Sequence, residues 1–256
     1  MVSVIAPDGT VSTISLNDPS NFITVAPAGV PDAGYVYVST NSGISVIDPT
    51  GTLVYEAPLG KAKQLAVSPT GPKAGYVYAI NGDYTVWEIS PYANASLAIV
   101  NTITVGNYPR SLAISPTGTN AGNVYVGNYS DHTVSVIDPS DNVSTITLGY
   151  SAVSSGSYFY PVSVAVSPVG ASAGYVYLAG YYGDIDVIDP SGSIVSNIGN
   201  PDIYTPWSLA VAPTGATAGN IYVGSYDYGT VTELAPDGTV INTFNVPNVS
   251  GIAIAP

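Results

Sequence analysis

An all-β fold, a six-bladed β-propeller with four-stranded blades, is predicted by three observations. An apolar motif recurs in fixed order, strand-type alternation fills every repeat, and proline or glycine turns separate the segments. The motif is an apolar pentad ending in proline, at residues 23–27, 65–69, 112–116, 164–168, 209–213 and 252–256, with closing prolines 42–52 residues apart. We name this segment a. After five of the six pentads come a glycine turn, Ala-Gly and a Tyr/Val segment b, at residues 35–38, 76–78, 123–126, 175–178 and 220–223. Segment c follows at residues 2–5, 44–47, 86–89, 134–137, 185–188 and 231–234, each running into a proline turn. Segment d follows in turn, as at residues 11–16, 143–148 and 240–244. Val, Ile, Thr and Tyr with period-2 alternation are strand formers, and a proline in every turn excludes continuous helices. Four strands per repeat of this length match one propeller blade. The small apolar a strands suit a crowded axis, and the polar d strands (Ser144, Thr145, Thr147) suit an outer edge.

Segments a, c and d occur six times, and b five times. The chain starts inside a c strand and stops at the end of an a strand. One composite blade is therefore expected, closed by the N-terminal c and d strands (residues 2–16) and the C-terminal a strand at Ile252 and Ile254. It lacks a b strand. Three readings stay open: a three-stranded blade, an excerpt of a longer protein, or an edge completed by another molecule through Val2, Val4, Ile252 and Ile254.

The 256 residues are expected to form a single domain, 1–256. Only 4 Lys+Arg stand against 17 Asp+Glu, a net charge of −13. That excludes nucleic-acid binding by phosphate neutralisation, and no apolar run is long enough for membrane insertion. Cysteine is absent and His132 is the one histidine, so thiolate and multi-histidine metal centres are excluded. Residues 1–5 lack the basic start of a secretion signal, so a secreted chain would be numbered after processing. So few cations also leave few ion pairs for acid to break, which predicts tolerance of low pH.

Residues 112–149 read LAISPTGTNAGNVYVGNYSDHTVSVIDPSDNVSTITLG. With Val124-Tyr125-Val126 before Asn128, and TVSVID at 133–138, this stretch resembles the YVTN-type β-propeller repeat of archaeal and bacterial surface-layer and secreted proteins. The resemblance implies an extracellular or cell-surface protein without enzymatic activity: a surface-layer, filament or adhesin component. Its partners would be further copies of itself or a cell-surface glycan, and no cofactor is implied.

Two classes of loop differ between repeats, and loops on a rigid scaffold are where function concentrates. The b–c loops carry Tyr84, Tyr129, Tyr181, Tyr182, Tyr226 and Tyr228, with one acid in each of four: Asp83, Asp131, Asp184 and Asp227. The d–a loops add Tyr108, Tyr150, Tyr158, Phe159, Tyr160, Tyr204 and Trp207, together with Lys61, Lys63 and Arg110. Flat rings beside hydrogen-bonding groups suit pyranose stacking, a lectin-like alternative, and equally suit a protein patch. The four acids would suit Ca²⁺, although no DxDxDG loop is present. Asp131 beside His132 is the one candidate acid–base pair, which keeps a lactonase- or lyase-type enzyme as the third reading. Asp48, Asp138 and Asp189 precede turn prolines and are expected to bond the turn backbone. Candidate N-glycosylation sites are Asn94, Asn128, Asn142 and Asn248, about as many as the Ser and Thr content yields by chance.

Overall fold

The computed structural model describes residues 1–5, 10–82, 84–92, 96–200, 203, 205–247, 249, 251, 252 and 254. Their strands are short, antiparallel and consecutive. β1 (Val2–Ile5) and β2 (Val11–Ile14) form a two-stranded hairpin. Blade one comprises β3 (Ser20–Val25), β4 (Val36–Thr40), β5 (Ile44–Ile47) and β6 (Leu53–Ala57). Blade two comprises β7 (Leu65–Val67), β8 (Val77–Ile80), β9 (Thr85–Ile89) and β10 (Ile99–Thr104). Blade three has β11 (Pro109–Ile114), β12 (Val124–Asn128), β13 (Thr133–Ile137) and β14 (Val143–Thr147). Blade four has β15 (Pro161–Val166), β16 (Val176–Gly180), β17 (Asp184–Ile188) and β18 (Ile194–Gly199). Blade five has β19 (Pro206–Val211), β20 (Ile221–Ser225), β21 (Thr230–Leu234) and β22 (Val240–Asn245). The chain falls into two compact units, 1–104 with the hairpin and blades one and two, and 105–256 with blades three to five. No helix among the described residues is long and apolar enough to cross a membrane.

The structure thus has five four-stranded blades, which corrects the expected six. Among the described residues the composite blade is not assembled: β1 and β2 pair only with each other, and neither Ile252 nor Ile254 lies in a strand. The missing b strand explains this, because ladder bonds reach only to an immediate neighbour about 4.8 Å away. The hairpin uses its face instead. Val2 is buried with Val38 and Ile47 of blade one, while Ile14, Leu16, Val36 and Leu53 pack around them. Val4 is exposed.

Interior faces are read out by strand parity. Tyr37, Tyr78, Tyr125 and Tyr177, each second in its b strand, are fully buried. A buried phenol needs a hydrogen-bond partner. The partners come from the X of the X-Ala-Gly turn before each b strand or from the c strand. The Tyr37 hydroxyl donates to Asp32, Asn120 Nδ2 donates to the Tyr125 hydroxyl (2.7 Å), and Tyr222 donates to Glu233 (2.8 Å). In blade two the X residue is Lys73, which pairs with the buried Glu88.

Blades three to five are linked by a repeated serine contact. Ser111 Oγ accepts the Val164 N–H of the next blade (3.0 Å), and Ser163 Oγ accepts that of Leu209 (3.1 Å). Ser208 Oγ accepts the Ile252 N–H (2.9 Å), so the C-terminal segment takes the same contact without joining a ladder.

The aspartates of the c–d turns do bond the turn backbone. Asp48, Asp138 and Asp189 accept N–H groups two and four residues on, at 2.8–3.0 Å. Their carboxyls are held below the ordinary range, first by side-chain hydrogen bonds from Thr50, Asn142 and Ser191 and then by these backbone donors. Asp186 of β17 behaves oppositely. Burial pushes it from 3.8 to about 6, against the Asn197 hydrogen bond and with help from the Asp184 charge. Between pH 4 and 6 the folded chain then holds more protons at Asp186 than the unfolded chain does. Stability from this group is present at low pH and lost as pH rises through 6, by up to about 3 kcal/mol. Asp186→Asn is therefore expected to stabilise the fold at pH 7 and to change it little at pH 4. Urea unfolding at both pH values checks this; an equal effect at both would refute it.

Candidate functional site

The candidate site is built from three equivalent loop positions in residues 105–256. Tyr129, Tyr181 and Tyr226 each follow a b strand by one residue. Each donates its N–H to the carbonyl of the residue preceding the inner-strand proline: Tyr108 (3.0 Å), Tyr160 (3.0 Å) and Thr205 (3.3 Å). Blades one and two carry Asn41 and Gly82 at the corresponding places. The ring ladder therefore belongs to blades three to five.

The inner strands add a second device. The ladder of each slips by one residue just after its opening proline, between Pro109 and Ser111, Pro161 and Ser163, and Pro206 and Ser208. A bulge residue leaves the ladder and its side chain is re-aimed. In blades three and five these residues are Arg110 and Trp207, and they meet. The Arg110 guanidinium carbon lies 4.9 Å from the Trp207 ring centre and 5.2 Å from that of Tyr129.

Two clusters of rings extend from the two sides of Arg110. Trp207 touches Tyr226 (5.8 Å), and Tyr129 touches both Tyr108 (6.0 Å) and Tyr160 (5.1 Å). Tyr160 meets Tyr182 (6.1 Å), which meets Tyr181 (5.3 Å). His132 sits edge-on to Tyr160 (4.4 Å, 89°) and flat on Tyr158 (4.7 Å, 9°). Tyr158 in turn stacks on Tyr150 (4.9 Å), its bridge partner in the long loop before β15. That loop makes the 52-residue spacing the longest in the chain. Trp207, Tyr108, Tyr150, Tyr158 and Tyr226 are exposed, while Phe159 is fully buried and belongs to the core. Burial pushes the Tyr129 phenol up, more than the Arg110 charge pulls it down.

Backbone strain concentrates here. Of four described non-glycine residues with positive φ, three are Tyr108 (55°), His132 (56°) and Thr205 (49°). Such conformations cost of order 1 kcal/mol each and gather at functional sites.

Three of the four loop acids lie among the described residues, and each has its own partner. Asp131 accepts the Asn107 N–H (2.6 Å), Asp227 accepts the Thr205 hydroxyl (2.7 Å), and the buried Asp184 accepts the Ala152 N–H (3.0 Å). Each braces a loop. Among the described residues no cluster of three metal-binding side chains occurs. No hydrogen bond joins Asp131 to His132, whose Nδ1 is buried without a partner among the described residues. Tyr84 is exposed in residues 1–104, and Tyr228 is exposed beside Tyr226 in the blade-five loop. Asp83, Tyr204, Asn94 and Asn248 lie outside the described residues. Asn142 is exposed in a turn, whereas Asn128 is fully buried, donating to Thr133 (3.0 Å) and Ser135 (2.9 Å). The sequence placed Arg110 on this face without a role. Its ring contacts depend on two bulges that composition does not reveal.

No protein-family model matches the chain, and no curated protein does. The YVTN label and the surface-layer role it implied are thus without support. Solved structures do match. Virginiamycin B lyase from Staphylococcus aureus is 15% identical with a TM-score of 0.65, covering 90% of this chain and 71% of that one. A streptogramin B lyase is 14% identical with a TM-score of 0.68, covering 93% and 72%. A protein of unknown function from Desulfotomaculum acetoxidans DSM 771 is 16% identical with a TM-score of 0.73, covering 96% and 78%. The expectation that the chain is not an enzyme is corrected here, since the scaffolds it matches include lyases. These likenesses, all below 25% identity, establish what the blades already show: the chain has a β-propeller fold.

Proposed function

We propose that blades three to five bind carbohydrate through this aromatic face. The observation that carries the reading is the pair of ring clusters from Tyr150 to Tyr129 and from Trp207 to Tyr226, joined through the Arg110 guanidinium, partly exposed and held by strained or bulged backbone. Rigid amphipathic rings give a sugar's C–H face contact at low entropic cost, and phenols and amides meet its hydroxyls. A glycan partner fits an extracellular setting. Calorimetric titration with malto-, manno- and chito-oligosaccharides tests it. Trp207→Ala or Tyr182→Ala is expected to weaken binding about tenfold or more. Binding that neither change alters would count against this face.

A second reading is favoured by His132. Its ring is clamped between two tyrosines with Nδ1 unpartnered among the described residues, and lyases share the fold. In this reading His132 takes a proton from a ligand lying on the rings. Turnover of virginiamycin B that His132→Asn abolishes, with binding retained, would support it.

A further inference from the structure

We infer that the site is specific for carboxylated sugars, hexuronates, with the ligand carboxylate held by Arg110. This rests on the carbohydrate reading above. Arg110 is half-buried on a bulge, against Tyr129 and Trp207, and among the described residues its guanidinium has no hydrogen bond or ion pair. Ring contact covers the faces of a guanidinium and leaves its in-plane N–H groups for an acceptor. Five donors in a rigid fork match a carboxylate bidentately, and a partly desolvated cation gains more from that match than an exposed one.

Among the described residues the chain does not use its many carboxylates here. The net charge is −13 with 17 acidic residues, yet the two described loop acids on this face, Asp131 and Asp227, are turned to Asn107 and Thr205. An arginine without an acid partner among the described residues of so acidic a chain is set apart for an anion from outside. The general repulsion of that anion is screened beyond about 8 Å at physiological salt. Trp207 is 49% exposed and touches Tyr226, so a pyranose ring has a platform directly beside the guanidinium. A hexuronate carries its carboxylate on the ring carbon C5, adjacent to the stacking face. Ring and charge are thus met together.

The test compares oligogalacturonate with its fully methyl-esterified form, which has the same rings without the charge. The native chain should bind the acid form about tenfold or more tightly than the ester. Arg110→Gln should abolish that difference, and Arg110→Lys should restore only part of it, because an ammonium lacks the fork. Thermal unfolding of each variant alongside native protein shows that it is folded. Equal binding of both forms by the native chain, or a preference that survives Arg110→Gln, overturns the inference. If the ester or neutral oligosaccharides bind in a Trp207-dependent way without acid preference, the carbohydrate reading stands and Arg110 specificity falls. If no glycan binds at all, both fall.

Discussion

Replacing Lys73 by methionine is expected to cost about 3–5 kcal/mol of folding stability. Lys73 stands at the X position of the blade-two X-Ala-Gly turn and reaches the carboxylate of Glu88, which is completely buried in β9. Its ammonium also lies 5.2 Å from the centre of the Tyr76 ring. A buried pair adds little net stability over an apolar one, but removing one partner takes away the counter-charge of the other in a low dielectric. The double variant Lys73→Met with Glu88→Leu should therefore recover a large part of the loss. Urea midpoints of the two single variants and the double variant measure it. A Lys73→Met chain as stable as the native one would show that the pair is solvated. With four basic residues in the chain, ion pairs looked unimportant from composition. The structure places one of those four where it matters.

Gly43→Ala is expected to cost about 3 kcal/mol or more. A methyl group on Gly43 would lie 1.8 Å from the Ala57 carbonyl oxygen and 2.9 Å from the Leu59 nitrogen. Both are backbone atoms, so no side chain can swing aside. Gly43 also closes the β4–β5 loop by exchanging hydrogen bonds with Thr40 (2.8 and 3.1 Å). Gly149→Ala is the control, since nothing lies within 4 Å of the added methyl and its φ is not positive. A Gly43→Ala loss no larger than that of Gly149→Ala would mean that the blade-one loop relaxes freely.

The strands were legible because each is bounded by proline, glycine or Asx turns and alternates visibly. β9, β13, β17 and β21 differ from the c segments read in sequence by one residue at the start. The number of blades was not legible. Residues 2–5 and 11–14 have the pattern of outer blade strands, and pattern does not say what lies across the ladder. Tyrosine has two fates here, which strand parity separates. Tyr125 is buried at the second position of β12, whereas Tyr129, just past the strand, joins the ring series. Asp184 read as a loop acid, but it opens β17 and turns inward to Ala152. The contact of Arg110 with Trp207 was hidden because it joins bulges 97 positions apart in the chain.

The central claim is that the rings of blades three to five bind sugar, and the chain carries its own reporter. It has two tryptophans, Trp87 in β9 and the exposed Trp207. In a Trp87→Phe variant all indole emission comes from the site. Titration with oligogalacturonate should give a saturable blue shift and protection of Trp207 from iodide quenching. Emission and quenching that stay unchanged, at concentrations where calorimetry detects binding, would place the sugar elsewhere and contradict the claim.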